Sequence, residues 1–200
     1  MSVEPLKRYQ TLTIVFLIGN LFVMGVDQYF INTNNFNPQQ FFKSVPFPAV
    51  SVIGSYVLNG LLSSELKYKI VFLRWKNPLP GSRLKQTIRN DSRFTLDRVV
   101  EKFGPIPEDP KDQNVFWFQK IYKPIQNEEK VRNTHKSFLL TRDLTGISAL
   151  LLIASIIYVA TFSSGLWIIF VLVIEFLLLR LAASNYGKRL VCTVIANNLD

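Results

Sequence analysis

A single carboxylate interrupts the apolar run IIFVLVIEFLLLRL, residues 168 to 181, and Glu175 is the residue in this chain whose chemistry is least expected from its surroundings. It lies at the centre of the apolar segment 166–184. At mid-membrane a charged side chain costs roughly 3 kcal/mol on insertion scales. About a dozen Leu, Ile, Val and Phe in the same segment return roughly 0.3 to 0.6 kcal/mol each, so insertion tolerates the acid. The residues one turn away, Val171, Leu172, Leu178 and Leu179, are all apolar, so this helix alone makes no pore wall. Ser51, Ser55 and Asn59, spaced by four, and Asn20 near the middle of the first apolar segment are the groups able to face Glu175 across a polar seam. The expected role is a hydrogen bond between packed helices, with a proton- or ion-linked switch as the alternative.

A second group of residues with binding chemistry surrounds the turn WKNPLPGSR. Arg74, Lys76, Arg83, Lys85 and Arg89 cluster about Gly81 and Ser82, and Ser82 is expected to cap the helix RLKQTIRN. A helix start presents free N–H groups and a positive dipole end, so a phosphorylated ligand is one partner that would fit. The favoured reading is simpler: these cations set topology and lie on anionic lipid headgroups, each worth ~1 kcal/mol near the surface. Nucleic acid is not an expected partner. The aromatic group Phe116, Trp117, Phe118 and Tyr122 is the candidate partner surface, because three consecutive aromatics cannot all face one small core. Most of the group is still expected to pack inside.

Other chemistry is sparse. His135 stands alone on a charged helix and reads as solvated surface, and Cys192 stands alone and can form no internal disulfide or thiolate cluster. There is no glycine-rich phosphate loop, no G-x-S-x-G elbow and no H-E-x-x-H pair. No enzyme, cofactor or metal site is therefore expected.

The elements that must position these residues follow from how the 200 residues are divided. The chain is 48% hydrophobic yet carries a formal charge of +9, with apolar and charged residues in separate blocks. A soluble domain does not segregate them in this way. Segments 144–162 and 166–184 are near the ~20 residues needed to cross a hydrocarbon core. Segment 9–27 is a further span, and 45–62, with Pro46, Pro48, Gly54 and Gly60, crosses or dips and returns. Between them, residues 65–143 hold 17 Lys or Arg against 10 Asp or Glu. Basic loops stay inside, which places that domain, Lys7–Arg8 and the 185–200 tail in the cytoplasm. The N-terminal segment reads as a retained anchor rather than a cleaved signal, since removing it would invert this topology.

The expected fold is thus an all-α integral membrane protein of the inner or plasma membrane. An N-terminal hairpin (1–64) and a C-terminal hairpin (144–184) flank a small cytoplasmic helical domain. Within the domain, 63–75 is expected to extend the second span until Asn77–Pro78. Thr95 should cap LDRVVEKF, and Asp109–Pro110 should open a helix running to Pro124. By architecture alone the arrangement is similar to small membrane-disrupting effectors of bacterial conflict systems. The expected function is that of a non-enzymatic sensor or effector acting as an oligomer. The alternatives are a constitutive anchor that recruits a soluble cytoplasmic protein and, disfavoured, a membrane enzyme acting on lipid.

Overall fold

A computed structural model describes residues 10–33, 47–162 and 166–199, with side-chain surroundings for 10–23, 54–161 and 166–199. The described residues are helical, with no strand among them. In chain order the helices are α1 (Gln10–Thr33), α2 (Phe47–Leu61), α3 (Ser64–Phe72), α4 (Leu84–Arg89), α5 (Leu96–Phe103), α6 (Pro110–Phe116), α7 (Lys123–Ile125), α8 (Glu129–Phe162) and α9 (Leu166–Leu199). A 3₁₀ turn, Pro80–Arg83, precedes α4, and a π-helical turn, Trp117–Tyr122, joins α6 to α7.

Among the described residues two helices, α8 and α9, are long and apolar enough to cross a membrane. Each has 34 residues, about 51 Å at 1.5 Å per residue, against a hydrocarbon core of ~30 Å. Each therefore has turns to spare beyond the apolar stretch. The most apolar window of α9 is only 17% buried, the opposite of a soluble core helix. Leu166, Phe170 and Leu178 stand exposed along it. Helix α2 has 15 residues, about 22 Å, which is shorter than that core.

Local signals set most boundaries in the basic domain. Thr95 caps α5 by accepting from Arg98 N, and Gly104, at φ 90°, ends it. Such a φ suits glycine because it carries no Cβ to clash. Asp109 caps α6 by accepting from Lys111 N and Asp112 N, with Pro110 at the first helical position. One expectation fails. Segment 63–75 does not extend α2, because the chain breaks at Leu62–Ser63 and Ser63 caps a new helix by accepting from Leu66 N. Helix α3 then ends at Leu73, which turns left-handed at φ 50°, four residues before Asn77. The helix that Asp109 opens runs on through the π-helical turn to Ile125, ending one residue past Pro124, as expected.

The largest difference lies at the C-terminus. Residues 185–199 are no separate tail but the last turns of α9, and Leu190, Val191, Val194 and Ile195 enter the core of the basic domain beside Ile88, Ile121 and Phe138. Their spacing of one and four places them on one helical face. Gly187 permits the approach, since a Cβ there would lie 2.6 Å from Phe72 Cζ and 3.0 Å from Phe138 Cε2. Cations satisfy the end of α9, where Arg98 donates to Leu199 O at 3.2 Å and Lys102 to Asn198 O. Asn198 Nδ2 in turn donates to Ile121 O at 2.8 Å. The same two helices that carry the long apolar stretches thus also build the core of the basic domain.

Candidate functional site

Glu175 is where three helices meet. From α1, Asn20 donates through Nδ2 to Glu175 Oε2 at 3.2 Å, and from α8, Ser148 donates through Oγ to Oε1 at 3.2 Å. Asn20 also donates to Phe16 O at 3.2 Å, one turn back on its own helix, which fixes its amide orientation. Both carboxyl oxygens are engaged, each by a neutral donor. Ser148 is fully buried and Asn20 nearly so. Beside this contact lies a cavity of about 290 Å³ whose walls are mostly apolar, among them Val15, Phe16 and Leu172. The arrangement can fasten α9 to both neighbours, and it can store one proton on the acid.

Asn20 is brought to Glu175, but the other polar residues of the expected seam are not. Ser55 and Asn59 face a different centre, and the side chain of Ser51 lies outside the described residues. Sequence reasoning missed Ser148. A lone serine in LTGISALLL carries no signal that separates it from Ser155, which bonds to Leu152 O on its own helix.

Comparing two variants weighs the acid's roles. Glu175→Gln keeps the shape and the hydrogen-bonding capacity, whereas Glu175→Leu removes the bonds. If the residue fastens helices, Gln should hold wild-type stability in detergent while Leu loses about 0.6 to 2 kcal/mol, the range for hydrogen bonds between membrane helices. Equal thermal stability of wild type and Leu variant would show that the contact contributes nothing to assembly.

The second centre is ionic and lies where α2, α3 and α8 converge. Lys67 on α3 is 3.3 Å from Asp143 Oδ1 and donates to Asn59 O at 2.8 Å and to Asn59 Oδ1. Arg142 reaches the same Asp143 oxygen through Nε at 3.0 Å and Nη2 at 2.7 Å, and its guanidinium lies over the Tyr68 ring at 5.1 Å. Lys67, Arg142 and Asp143 are 5%, 3% and 0% exposed, which makes this a buried network rather than a surface pair. A polar cavity of about 420 Å³ adjoins it, lined by Thr13, Ser55, Asn59, Ser63 and Lys67. Asp143 and Ser148 are five residues apart on α8, about 7.5 Å along its axis, so the two centres are near neighbours.

The basic turn differs from expectation. Gly81 and Ser82 are buried, and a Cβ on Gly81 would meet Asn114 Oδ1 at 2.8 Å and Trp117 Cε3 at 2.9 Å. Arg83, not Ser82, occupies the cap of α4, and no side chain bonds there. The turn therefore packs against α6 and offers no open N-terminus to an anion. Lys85 pairs with Glu108, while Lys76 and Arg89 project outward. Arg74 and Arg83 lie together on the wall of a separate cleft.

Of the four aromatics, Phe116, Trp117 and Tyr122 are core and only Phe118 is exposed, so the group as a whole forms no surface. The π-helical turn accounts for this: one extra residue per turn swings Trp117 and Tyr122 inward together. It also brings Tyr122 onto α8, where its hydroxyl lies 2.7 Å from His135 Nδ1 and the rings meet edge to face at 5.4 Å. His135 is thus not solvated surface. Burial first, and the charge of Arg142 second, push its imidazole down to about 4. The neutral ring and the Tyr122 hydroxyl share this hydrogen bond, its direction set by the imidazole tautomer. Cys192 is buried beside Asp91, and burial pushes its thiol up to about 12, so it is unreactive at neutral pH.

Among the described residues no group of three or more His, Cys, Asp or Glu could hold a metal ion. No protein-family model, curated protein or solved structure matches the chain.

Proposed function

We propose that this chain is a non-enzymatic membrane sensor or effector, with four membrane segments and a basic cytoplasmic domain that receives a protein or an anionic ligand. The bundle answers by altering membrane integrity, as an oligomer, and both termini lie in the cytoplasm. One observation carries this reading. Helices α8 and α9 run unbroken from the core of the basic domain, at Val131 and Ile195, to the contact at Ser148 and Glu175. A helix is stiff over this length, so a shift where the domain binds its ligand must move the intramembrane contact as well. An anchor that merely recruits a partner would need no such continuity.

The test is membrane potential in cells. Overproduction of the full chain should populate the responding state without its natural trigger, and a potential-sensitive dye should report depolarisation. Unchanged potential, together with normal growth at high membrane abundance, would favour the constitutive anchor.

A further inference from the structure

The loop after α3, helix α4 and helix α9 enclose a cleft of about 290 Å³. Arg74 enters it from the loop, Arg83 from the 3₁₀ turn and Lys188 from α9. None of the three forms an ion pair among the described residues. One acid lies on the wall, Asp91, and Arg93 holds both its oxygens, with Nε 2.9 Å from Oδ1 and Nη2 2.6 Å from Oδ2. Three cations therefore face a cleft whose carboxylate is already neutralised. Gln86 and Asn90 add neutral donors to the same wall.

Gathering like charges is unfavourable unless something anionic joins them. Arg74 registers the strain, since burial and then the charge of Arg83 lower its pKa. A soluble carboxylate would satisfy one guanidinium. Two guanidiniums and an ammonium around one cleft match the several oxygens and higher charge of a phosphate group, which arginine's planar fork engages in pairs.

We infer that this cleft binds a phosphate-bearing ligand, held by Arg74, Arg83 and Lys188. The inference rests on the proposal that the basic domain receives an anionic ligand. It places that ligand against α9 rather than at the Gly81–Ser82 turn. Lys188 is four residues beyond Ser184, where the apolar stretch ends, or about 6 Å along the helix. The phosphate can therefore belong to a lipid headgroup or to a solute. A ligand here touches α9 directly, and α9 carries Glu175 thirteen residues back along the same helix.

The experiment uses the full chain in two settings. In neutral detergent, binding of inorganic pyrophosphate is followed calorimetrically. In nanodiscs, phosphatidylcholine alone is compared with phosphatidylcholine containing a minor share of phosphatidic acid, using protection of α9 amides from hydrogen exchange. The triple variant Arg74→Gln, Arg83→Gln, Lys188→Gln should weaken binding about tenfold or more. A control triple, Lys111→Gln, Lys123→Gln, Lys130→Gln, removes the same charge from exposed sites and should change it no more than about twofold. Should the first triple fail to fold, Arg83→Gln alone, at an exposed position, should still weaken binding about threefold. Pyrophosphate binding assigns the site to a solute, and protection only with phosphatidic acid assigns it to a headgroup. Equal losses in both triples, or no binding in either setting, would overturn the site. Phosphate binding without depolarisation in cells would remove the effector proposal and leave the cleft standing, and depolarisation without phosphate binding would do the reverse.

Discussion

Asp143→Asn should lower stability by about 3 to 5 kcal/mol, the cost of breaking a buried ion pair by removing one partner. The aspartate is fully buried and takes contacts from two cations that are themselves at most 5% exposed. Removing its charge leaves Lys67 and Arg142 charged and nearly buried without their shared anion. The triple replacement Lys67→Met, Arg142→Met, Asp143→Leu should recover most of the loss, because apolar side chains of similar volume carry no desolvation penalty. Denaturant unfolding in a neutral detergent would measure both. If Asp143→Asn proves as stable as wild type, the network is solvated and this centre is misassigned.

His135 should make stability depend on pH in a window that few other groups share. Its imidazole sits at about 4 in the folded chain against an ordinary 6.5. Between those values the unfolded chain takes up a proton that the folded chain refuses, so stability is full above 6.5 and falls as the pH drops toward 4. The whole loss is on the order of 3 kcal/mol. Asp91 and Glu108 have depressed carboxyls, but their ordinary values are 3.8 and 4.5, so they act mainly lower in pH. The fall between 6.5 and about 5 therefore separates His135 from those two carboxyls. His135→Gln cannot ionise yet can still hydrogen-bond to Tyr122, and the slope of its thermal unfolding temperature against pH should be smaller than that of wild type across that range. An unchanged slope in the variant would place the titration elsewhere.

How much of this was legible in the sequence depended on whether a signal was local. Helix starts at Thr95 and Asp109 were readable because a capping side chain acts within three residues of its own position. The apolar stretches of α8 and α9 were readable because a membrane demands an unbroken run. Glu175 was conspicuous for the same reason, and Asn20 was a reasonable partner. Ser148 and His135 were not legible, since their roles come from residues 27 and 13 positions away. The turn at Gly81–Ser82 misled because its glycine serves close packing on Trp117, a tertiary demand with the same composition as an open anion site. Residues 185–199 misled because SNYGKR looks like a polar exit from the membrane, while the apolar face of LVCTVI that follows finds its partner in α4 and the π-helical turn.

In the proposed topology α8 and α9 cross the membrane and rejoin in one cytoplasmic domain. Reporter fusions test this most directly. Residues near Ile121 and Asn198 are hydrogen-bonded to one another, so fusions after Pro110 and after Ile195 must report the same side in any arrangement. The account predicts cytoplasm for both, and for a fusion after Arg8, with the outside reported near Asn35 and at Ser164. An external signal at Pro110, or a cytoplasmic signal at Ser164, would contradict it.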